Sequence, residues 1–349
     1  MPVLAIPYPS WLKPEIIPGL PFRWYGLMYL VAFGIAYLLF SYQIKEKKLE
    51  LPKDTAASLF FWGIAGLLLG ARLLSALIYN YDTADPNKYL RNPLLIFWPF
   101  DENFRFIGLQ GMSYHGGLIG AAAGIIIYCK RKKLSFLQMG DLIAVSVPLG
   151  YTFGRLGNFI NAELYGRVTS SSWGVIFPHA EKLSARLNWV RDIAQEAGIP
   201  LPPGNTGMVN LPRHASQLYE AFFEGIVLWM ILWLVFRNRA RFKGFMIGVY
   251  VMGYGLVRFF IEYFREPDRN MGFPIQLSSL DNPIHLLVTP WNFTTGQILC
   301  FLMIVAGAAL LFIFSRMDKT RLDKKEPAGD NADKHRQKKK EFSKKRAGS

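Results

Sequence analysis

The chain has 349 residues, of which 51% are hydrophobic, and a formal net charge of +15 at pH 7. That length would allow two soluble domains, but the apolar residues are gathered in long windows, which excludes an ordinary soluble globular protein. The only cysteines, Cys129 and Cys300, lie at or in such windows, so no disulfide and no cysteine metal site is expected.

Seven windows of mostly apolar residues recur along the chain, each close to the length that crosses about 30 Å of hydrocarbon. They cover residues 24–43, 57–80, 114–129, 139–159, 218–236, 244–263 and 296–314. The proline-rich start has no basic region ahead of an apolar core, so no cleavable signal peptide is expected. The sequence therefore predicts an all-α polytopic membrane protein with seven transmembrane helices.

Loop charges predict the orientation of these helices. The short loops after the first, third and fifth windows, and the tail after the seventh, are rich in Lys and Arg. The positive-inside rule places them in the cytoplasm, which puts the N-terminus outside and the C-terminus inside. The predicted units are an N-terminal arm (1–23), helices one to four (24–159), an extracytoplasmic cap (160–217), helices five to seven (218–314) and a disordered cytoplasmic tail (315–349).

Two of these units carry further expectations. Within the cap, Leu183, Leu187, Val190 and Ile193 predict a short amphipathic helix. The basic tail could attract anionic lipid headgroups, or it could be a solvated topology anchor, which is the simpler interpretation. No motif in it indicates nucleic-acid binding.

Polar side chains from the predicted helices collect at one depth, just below the outer surface. They are Tyr25, Arg72, His115, Arg155, Asn158, Tyr254, Arg258 and Glu262. Ionisable residues inside a membrane are costly and usually mark a functional site. Arginine forks match the geometry of a phosphate, which a phospholipid presents at this depth. The set therefore predicts a polar cavity that holds a lipid headgroup.

Simpler interpretations exist for several members of this set. Arg258 and Glu262 could be a neutralising pair four residues apart on one helix face. Arg72 could snorkel to the interface, and Tyr25 could belong to an aromatic belt. The two glutamates of "SQLYEAFFE" could have no role beyond balancing the charge of nearby arginines.

Glycines are spaced for close helix packing in two of the windows. Gly116, Gly120 and Gly124 repeat every four residues in the third, and Gly66 and Gly70 have the same spacing in the second. This small-residue pattern predicts a close helix crossing, rather than a phosphate-binding loop.

Five blocks of the sequence resemble, in order, those of the bacterial prolipoprotein diacylglyceryl transferases. They are "FRWYGLMYLVAF", "GMSYHGGLIG", "GRLGNFINAELYGRVT", "RHASQLYEAFFEG" and "GYGLVRFFIEYFREPD", and "GQIL" at 296–299 follows them. The resemblance covers about residues 21–316. Family members often have proline where Ala215 stands, and the loop between the second and third windows (81–113) and the basic tail look extended.

The resemblance implies an enzyme of the bacterial inner membrane that carries out the first step of lipoprotein maturation. Such enzymes move the diacylglyceryl group of phosphatidylglycerol to the lipobox cysteine thiol of a prolipoprotein, forming a thioether and releasing glycerol phosphate. The implied partners are phosphatidylglycerol, the prolipoprotein signal peptide and membrane lipids, with no nucleic acid, no metal and no cofactor.

Site residues follow from the same resemblance. It implies catalytic residues at Tyr25, His115, Arg155 and Arg258, and substrate-binding residues at Arg155, Asn158, Asn161, Glu163, Gly166, Tyr254 and Glu262. Arg72 joins the binding set because of its depth. We assign the phosphate to Arg155 and Arg258 and the thiol proton to His115. Asn158 would hold the headgroup, Glu262 would orient Arg258, and Gly166 would let the backbone turn at the pocket rim.

Two other classes of protein would also collect arginines in a membrane. An anion or lipid transporter should place polar residues at the midplane and often contains an inverted repeat. The sequence shows neither feature, because its polar residues favour one side. A non-catalytic lipid-binding scaffold would tolerate the exchange of arginine for lysine, because charge alone would suffice.

Overall fold

The computed structural model describes residues 5–17, 19, 22–78, 87–100, 103–105, 108, 111–267, 272–280 and 283–323, with the backbone alone at 205 and 319–323. The long helices, in chain order, are α1 (Trp24–Glu46), α2 (Thr55–Ile78), α3 (Tyr114–Arg131), α4 (Phe136–Ile160), α5 (Ser216–Phe236), α6 (Phe245–Ile261) and α7 (Thr295–Asp323). Each of the seven predicted windows therefore forms a helix. Shorter turns at Lys88–Arg91 and Pro93–Phe97 lie between α2 and α3.

Four helices are long and apolar enough to cross a membrane by length and composition. They are α1, α2, α5 and the first 24 residues of α7. Helix α6 is apolar, but its 17 residues are fewer than the about 20 that usually cross a membrane. Helix α4 is less hydrophobic than α1 and α2, because it carries Asp141, Pro148 and Arg155 along its length. Four such helices make the chain a helical membrane protein.

Helices α2 and α3 cross at the predicted glycines. A Cβ atom on Gly120 would lie 2.0 Å from the carbonyl oxygen of Gly66, and one on Gly116 would lie 2.3 Å from that of Gly70. Only glycine allows the two backbones to come this close, so the prediction of small-residue packing is confirmed. The end of α2 and the start of α3 are also joined, because the Ser113 amide donates to the carbonyl of Ala71 at 3.0 Å.

Helix α4 lies at the centre of the bundle, where it packs against α1, α5 and α6. Two buried apolar clusters fill this region. One is built around Phe40, Leu59 and Met139, and the other around Val145 and Leu232. Because α4 packs against three other helices, polar residues along it can meet side chains of those helices.

The cap is a mixed structure formed by residues 160–217 together with residues that follow α6. Its strands are β1 (Ile6–Pro7) parallel to β2 (Val175–Ile176), β3 (Leu183–Ser184) antiparallel to β4 (Met208–Val209), and β5 (Ile275–Gln276) antiparallel to β6 (Asn292–Phe293). The cap helix (Asn188–Glu196) buries Val190 and Ala194. The predicted amphipathic helix is thus present but starts later, because Leu183 belongs to β3 and Leu187 precedes the first helical residue.

Two fully buried arginines hold the parts of the cap together. Arg167 donates from Nε to the carbonyl of Arg265 at 2.8 Å and from Nη1 to that of Leu286 at 2.6 Å. Arg213 forms an ion pair with Glu266. Buried guanidinium groups need such partners, because an unpaired charge in the interior is very unfavourable. These bonds tie the 160–217 segment to the chain that leaves α6.

The outer units differ in part from their predicted boundaries. The N-terminal arm is joined to the cap through β1, and the Tyr8 hydroxyl donates to the carbonyls of Phe159 and Ile160 at 2.9 Å. Helix α7 continues to Asp323, beyond the predicted end at 314. The rest of the tail (324–349) lies outside the described residues.

Candidate active site

A network of charged side chains lies at the end of the bundle that carries the cap. It combines Arg155 from the last turns of α4, Glu220 and Glu224 from the first turns of α5, and Arg258 from the end of α6. These positions meet because consecutive helices run in opposite directions. The predicted clustering of Arg155 with Arg258 at one level is therefore present in the structure.

Glu220 is the centre of this network. Its Oε2 atom lies 2.8 Å from Arg155 Nε and 3.1 Å from Arg258 Nη1, and its Oε1 atom lies 3.1 Å from Arg265 Nη1. The Glu220 side chain is fully buried, whereas those of the three arginines are 14–20% exposed. One inaccessible carboxylate thus contacts three partly accessible cations.

Glu224 lies four residues further along α5 and faces the same network. It accepts a hydrogen bond from the Tyr151 hydroxyl at 2.5 Å and pairs with Arg258 Nη1 at 3.3 Å. Residues 220–227 have the i→i+5 hydrogen bonds of a π-helix, which widens the turn and brings residues four apart close to one face. Such wide turns occur frequently at functional sites.

Tyrosines border the carboxylates on the α4 and α6 sides. Arg155 Nε donates to the Tyr151 hydroxyl at 2.6 Å, and its guanidinium carbon lies 4.7 Å from the ring centroid. The Tyr254 ring meets the Tyr151 ring edge-on, with 6.1 Å between centroids. Tyr254, predicted on the face of Arg258, therefore lines this network.

Glu262 pairs with Arg258, as predicted, but it is also part of a larger arrangement. It lies 3.1 Å from Arg258 Nη2 and 3.5 Å from Arg265 Nε, and it accepts a hydrogen bond from Thr294 Oγ1 at 3.5 Å. A Cβ atom on Gly296 would lie 2.4 Å from Glu262 Oε1. Glycine there lets the carboxylate reach the start of α7, where a helix N-terminus favours negative charge.

A second polar group follows α4 directly. Arg155 Nη1 donates to Asn158 Oδ1 at 3.4 Å, and the Asn158 and Asn161 amides donate to Glu163 Oε1 at 2.9 and 3.3 Å. The Tyr25 side chain also contacts the Asn158 amide and bonds the Tyr29 hydroxyl at 3.0 Å. Tyr25 and the three polar residues of "NFINAE" are therefore connected to Arg155.

The backbone at the end of α4 explains how Glu163 comes to face these amides. Ala162 and Glu163 donate their amides to the carbonyls of Phe159 and Asn158, which is the Schellman pattern that ends many helices. Ala162 and Leu164 have φ values of +53° and +56°. Left-handed conformations are unfavourable for residues with a Cβ atom, and such strain is concentrated at functional sites.

Gly166 lies where two chain segments touch rather than at a turn. Its amide donates to the carbonyl of His214 at 2.8 Å, and it bridges to Arg265. A Cβ atom on it would lie 2.2 Å from the carbonyl oxygen of Phe264. The structure therefore gives Gly166 a role in close approach, which differs from the turn expected from the sequence.

Two predicted residues lie apart from this network in their described contacts. His115 is exposed at the start of α3, and its ring contacts that of Tyr114, 5.7 Å away between centroids. Arg72 is buried; its Nε donates to the carbonyl of Ile96 and its Nη1 to that of Gly111 at 3.3 Å. Arg72 thus joins α2 to two described positions of the segment that leads to α3.

Burial shifts the pKa values of groups in the cap next to this site. Burial and the nearby Arg167 cation lower the pKa of His214 from 6.5 to about 4, so the imidazole is neutral at pH 7. Burial lowers the pKa of Arg167 to about 10, with Glu262 and Glu266 acting in the opposite direction. The Glu266 pKa is lowered despite burial, because His285 and Arg213 favour its charged form.

One group in the cap has the residue types of a metal site. Ligand atoms of Glu181, Glu266 and His285 all lie within 4.8 Å of one another. However, Glu266 is already engaged by the Arg213 cation and by His285 Nδ1 at 2.8 Å. These contacts describe an ion network within the cap rather than an open coordination site.

The sequence prediction left four members of the network unassigned: Tyr151, Glu220, Glu224 and Arg265. A signal existed for the glutamates, because two carboxylates four residues apart in an apolar window share a helix face and require partners. Arg265 is seven residues from Arg258, a spacing that would share one helix face, but it lies beyond the predicted window that ends at 263. Tyr151 carried no signal that distinguishes it from other tyrosines in membrane helices.

Comparisons with known proteins agree with the sequence blocks. Residues 15–313 match the family described as prolipoprotein diacylglyceryl transferase. Relatives named phosphatidylglycerol–prolipoprotein diacylglyceryl transferase include one from Treponema denticola, 54% identical over 93% of this chain and 98% of its own length. Those from Treponema pallidum and Chlorobaculum tepidum are 49% and 42% identical, over 91% and 87% of this chain and 97% and 90% of their own. With this match over most of its length, the chain belongs to the prolipoprotein diacylglyceryl transferase family.

Proposed function

We propose that this protein transfers the diacylglyceryl group of phosphatidylglycerol to the lipobox cysteine of prolipoproteins. The observation that carries the proposal is the family match across residues 15–313, which includes every member of the arginine–glutamate network. Two relatives that match this chain over nearly their whole length, at 54% and 49% identity, carry the corresponding enzyme name.

The proposed location is the cytoplasmic (inner) membrane of a bacterium, crossed seven times. The end of the bundle opposite the cap carries the basic loops, where Arg237 pairs with Glu46 at 2.7 Å. Because positive loops are retained in the cytoplasm, this distribution favours a cap that faces outward. Phosphatidylglycerol in the outer leaflet and a secreted prolipoprotein would then both reach the charged network.

The proposed reaction is a displacement at the carbon of the diacylated glycerol that is bonded to the phosphate oxygen. The cysteine sulfur attacks this carbon, the carbon–sulfur bond forms, and the carbon–oxygen bond to phosphate breaks. The bonding electrons stay on the phosphate oxygen, which leaves as glycerol phosphate, while the thiol proton passes to a base. Positioned cations lower the barrier by stabilising the charge that develops on the leaving oxygen.

Residue roles in this proposal follow the contacts at the site. Arg155 and Arg258 would donate to the phosphate, and their partial exposure of 17% and 14% leaves part of each guanidinium accessible. Asn158 would hold the headgroup, and Glu262 would orient Arg258 through its 3.1 Å contact. His115 would accept the thiol proton, since its ring is accessible at the start of α3.

The remaining positions complete the proposal, some as substrate contacts and some as supports of the site. Asn161 and Glu163 would extend the headgroup site, and Tyr25 and Tyr254 would border it. Gly166 would keep the cap close to α6, and Arg72 would support the loop that precedes His115. The cap would meet the prolipoprotein at the outer surface.

The function can be tested with purified protein in mixed micelles of detergent and phosphatidylglycerol and a signal peptide that contains a lipobox cysteine. Mass spectrometry should show a peptide heavier by one diacylglyceryl group. A matched peptide with serine in place of cysteine should stay unmodified, as should the cysteine peptide when phosphatidylcholine is the only lipid. Absence of the adduct with the cysteine peptide and phosphatidylglycerol would refute the proposal.

A further inference from the structure

We infer that Glu220 is a positioning residue, which fixes the guanidinium groups of Arg155 and Arg258 relative to each other at the reacting phosphate. This inference rests on the proposed function. It assigns a catalytic contribution to a side chain that is itself fully buried in this structure.

The division of contacts between the two Glu220 oxygens supports this role. Oε2 is shared by Arg155 Nε and Arg258 Nη1, at 2.8 and 3.1 Å, so a single atom links the arginines of α4 and α6. Oε1 holds Arg265, at 3.1 Å. Simple charge balance would not require one oxygen to serve both proposed phosphate donors.

The Glu220 carboxylate is itself held by a rigid support. Two side chains at the start of α5 donate hydrogen bonds to the backbone that follows α4. Gln217 Nε2 donates to the carbonyl of Glu163 at 2.6 Å, and Ser216 Oγ donates to that of Leu164 at 3.2 Å. The first turn of α5 is thereby fastened to the loop that follows α4. A catalytic group that is held in this way needs no reorganisation when the substrate binds.

Glu224 occupies a different place in the same network. It contacts Arg258 and Tyr151, and among the described residues the Tyr151 hydroxyl bridges it to Arg155, with no ion pair between Glu224 and Arg155. Glu220 alone, among the described residues, forms ion pairs with both Arg155 and Arg258. The relative placement of the two arginines therefore depends on Glu220.

Two variants separate position from charge. Glu220→Asp keeps the negative charge but withdraws the carboxylate by one methylene, and Glu220→Gln keeps the length but removes the charge. Glu46→Gln is the matched control, because it also removes a glutamate that pairs with an arginine of another segment, at the opposite end of the bundle. Each protein would be assayed for kcat and KM with phosphatidylglycerol and for thermal unfolding in detergent.

A positioning role predicts a fall in kcat of about 10- to 100-fold in Glu220→Asp, since displacement of a catalytic group by about 1 Å has effects of this size. KM for phosphatidylglycerol should change less than threefold, because the cations remain. Glu220→Gln should lose at least as much kcat, and Glu46→Gln should keep the activity of the unchanged protein.

The inference is overturned if folded Glu220→Asp keeps kcat within twofold of the unchanged protein, or if its loss lies entirely in KM. If Glu220→Gln does not fold, Glu220→Asp alone decides the matter by the same criteria. If the wild-type protein itself makes no thioether, the proposed function is refuted. That outcome differs from an active wild-type protein whose Glu220→Asp variant is equally active, which refutes only the positioning role.

Discussion

Arg155 is oriented by two acceptors at its Nε atom, the Glu220 carboxylate and the Tyr151 hydroxyl. Contacts at Nε leave the two terminal nitrogens of the guanidinium as the groups that can face an anion. Within the described part of the chain, Nη1 has a single long contact, to Asn158 Oδ1 at 3.4 Å. This geometry matches the planar fork that arginine offers to a phosphate. It also means that the identity of the residue matters more than its charge.

Substitution of Arg155 by lysine should lower kcat/KM at least tenfold, which corresponds to about 1.4 kcal/mol of transition-state stabilisation. A lysine keeps the charge but cannot bond Glu220, Tyr151 and a phosphate in one plane. The thioether assay provides the measurement. Arg239→Lys, an exposed position outside the network, is the control and should remain fully active. Full activity of Arg155→Lys would exclude bidentate phosphate recognition and favour a charge-only scaffold.

His115→Gln tests whether this residue takes the thiol proton. Loss of a general base should reduce the rate about 10²- to 10⁴-fold near neutral pH. Alkaline buffer supplies cysteine thiolate directly, so the variant should recover part of its activity as pH rises, more than the unchanged protein does. Equal inactivity across the pH range, with lipid binding intact, would assign His115 to positioning only.

For single residues, the sequence predicts which side chains lie near the site better than it predicts the partners that they contact. Depth in the membrane follows from position along a helix, so Arg155, Arg258 and Glu262 could be placed together. Pairing depends on which helix faces meet, and this depends on packing over the whole bundle. For the same reason depth alone could not separate His115, whose described contact is Tyr114, from the charged network.

The α2–α3 crossing can be tested with a single methyl group. Gly120→Ala places a Cβ atom 2.0 Å from the Gly66 carbonyl oxygen and must push the helices apart. The free energy of unfolding should fall by about 1–3 kcal/mol. The control is Gly34→Ala in α1, where no atom lies within 4 Å of the added carbon. Thermal unfolding in detergent compares the two, and equal stability would contradict the close crossing.

Acid should loosen the cap because it contains groups with lowered pKa values. The pKa of His214 is about 4 in the fold and 6.5 ordinarily, so the unfolded chain binds more protons between these values and stability falls as pH drops through that window. The lowered pKa of Glu266 acts in the same direction in more acidic solution. We expect a loss on the order of 2 kcal/mol from His214 between pH 7 and pH 4.

Hydrogen exchange of cap amides at pH 7 and pH 4.5, corrected for intrinsic rates, provides the measurement. His214→Gln should reduce the acid sensitivity of the cap, whereas His179→Gln, at an exposed position of the same segment, should leave it unchanged. Acid sensitivity that is the same in both variants would show that His214 does not cause it.

The helices were predictable as elements because membrane helices are recognised by composition alone. The cap was less predictable, since its helix is short and its strands have two residues each. Short elements depend on tertiary contacts such as those of Arg167 and Arg213, which join segments about 50 to 120 residues apart. Nothing in the local sequence pattern encodes those distances.

At the scale of the whole molecule, the proposed orientation places the cap and the charged network outside. Lys182→Cys in the cap and Lys132→Cys in the basic loop after α3 are both exposed positions suited to labelling. In a background without Cys129 and Cys300, an impermeant maleimide added to intact cells should label position 182 at once. Position 132 should react only after lysis. The reverse pattern would place the site on the cytoplasmic side and contradict the proposed reaction.

The most direct measurement follows both halves of the lipid through one reaction. Phosphatidylglycerol would carry one isotope in its acyl chains and another in its headgroup glycerol, and it would be incubated with the purified protein and a lipobox peptide. The account predicts that the acyl label appears on the peptide in a thioether, and that an equal amount of headgroup label is released as glycerol phosphate. Headgroup label on the peptide, transfer of a single acyl chain, or release of diacylglycerol without peptide modification would contradict it.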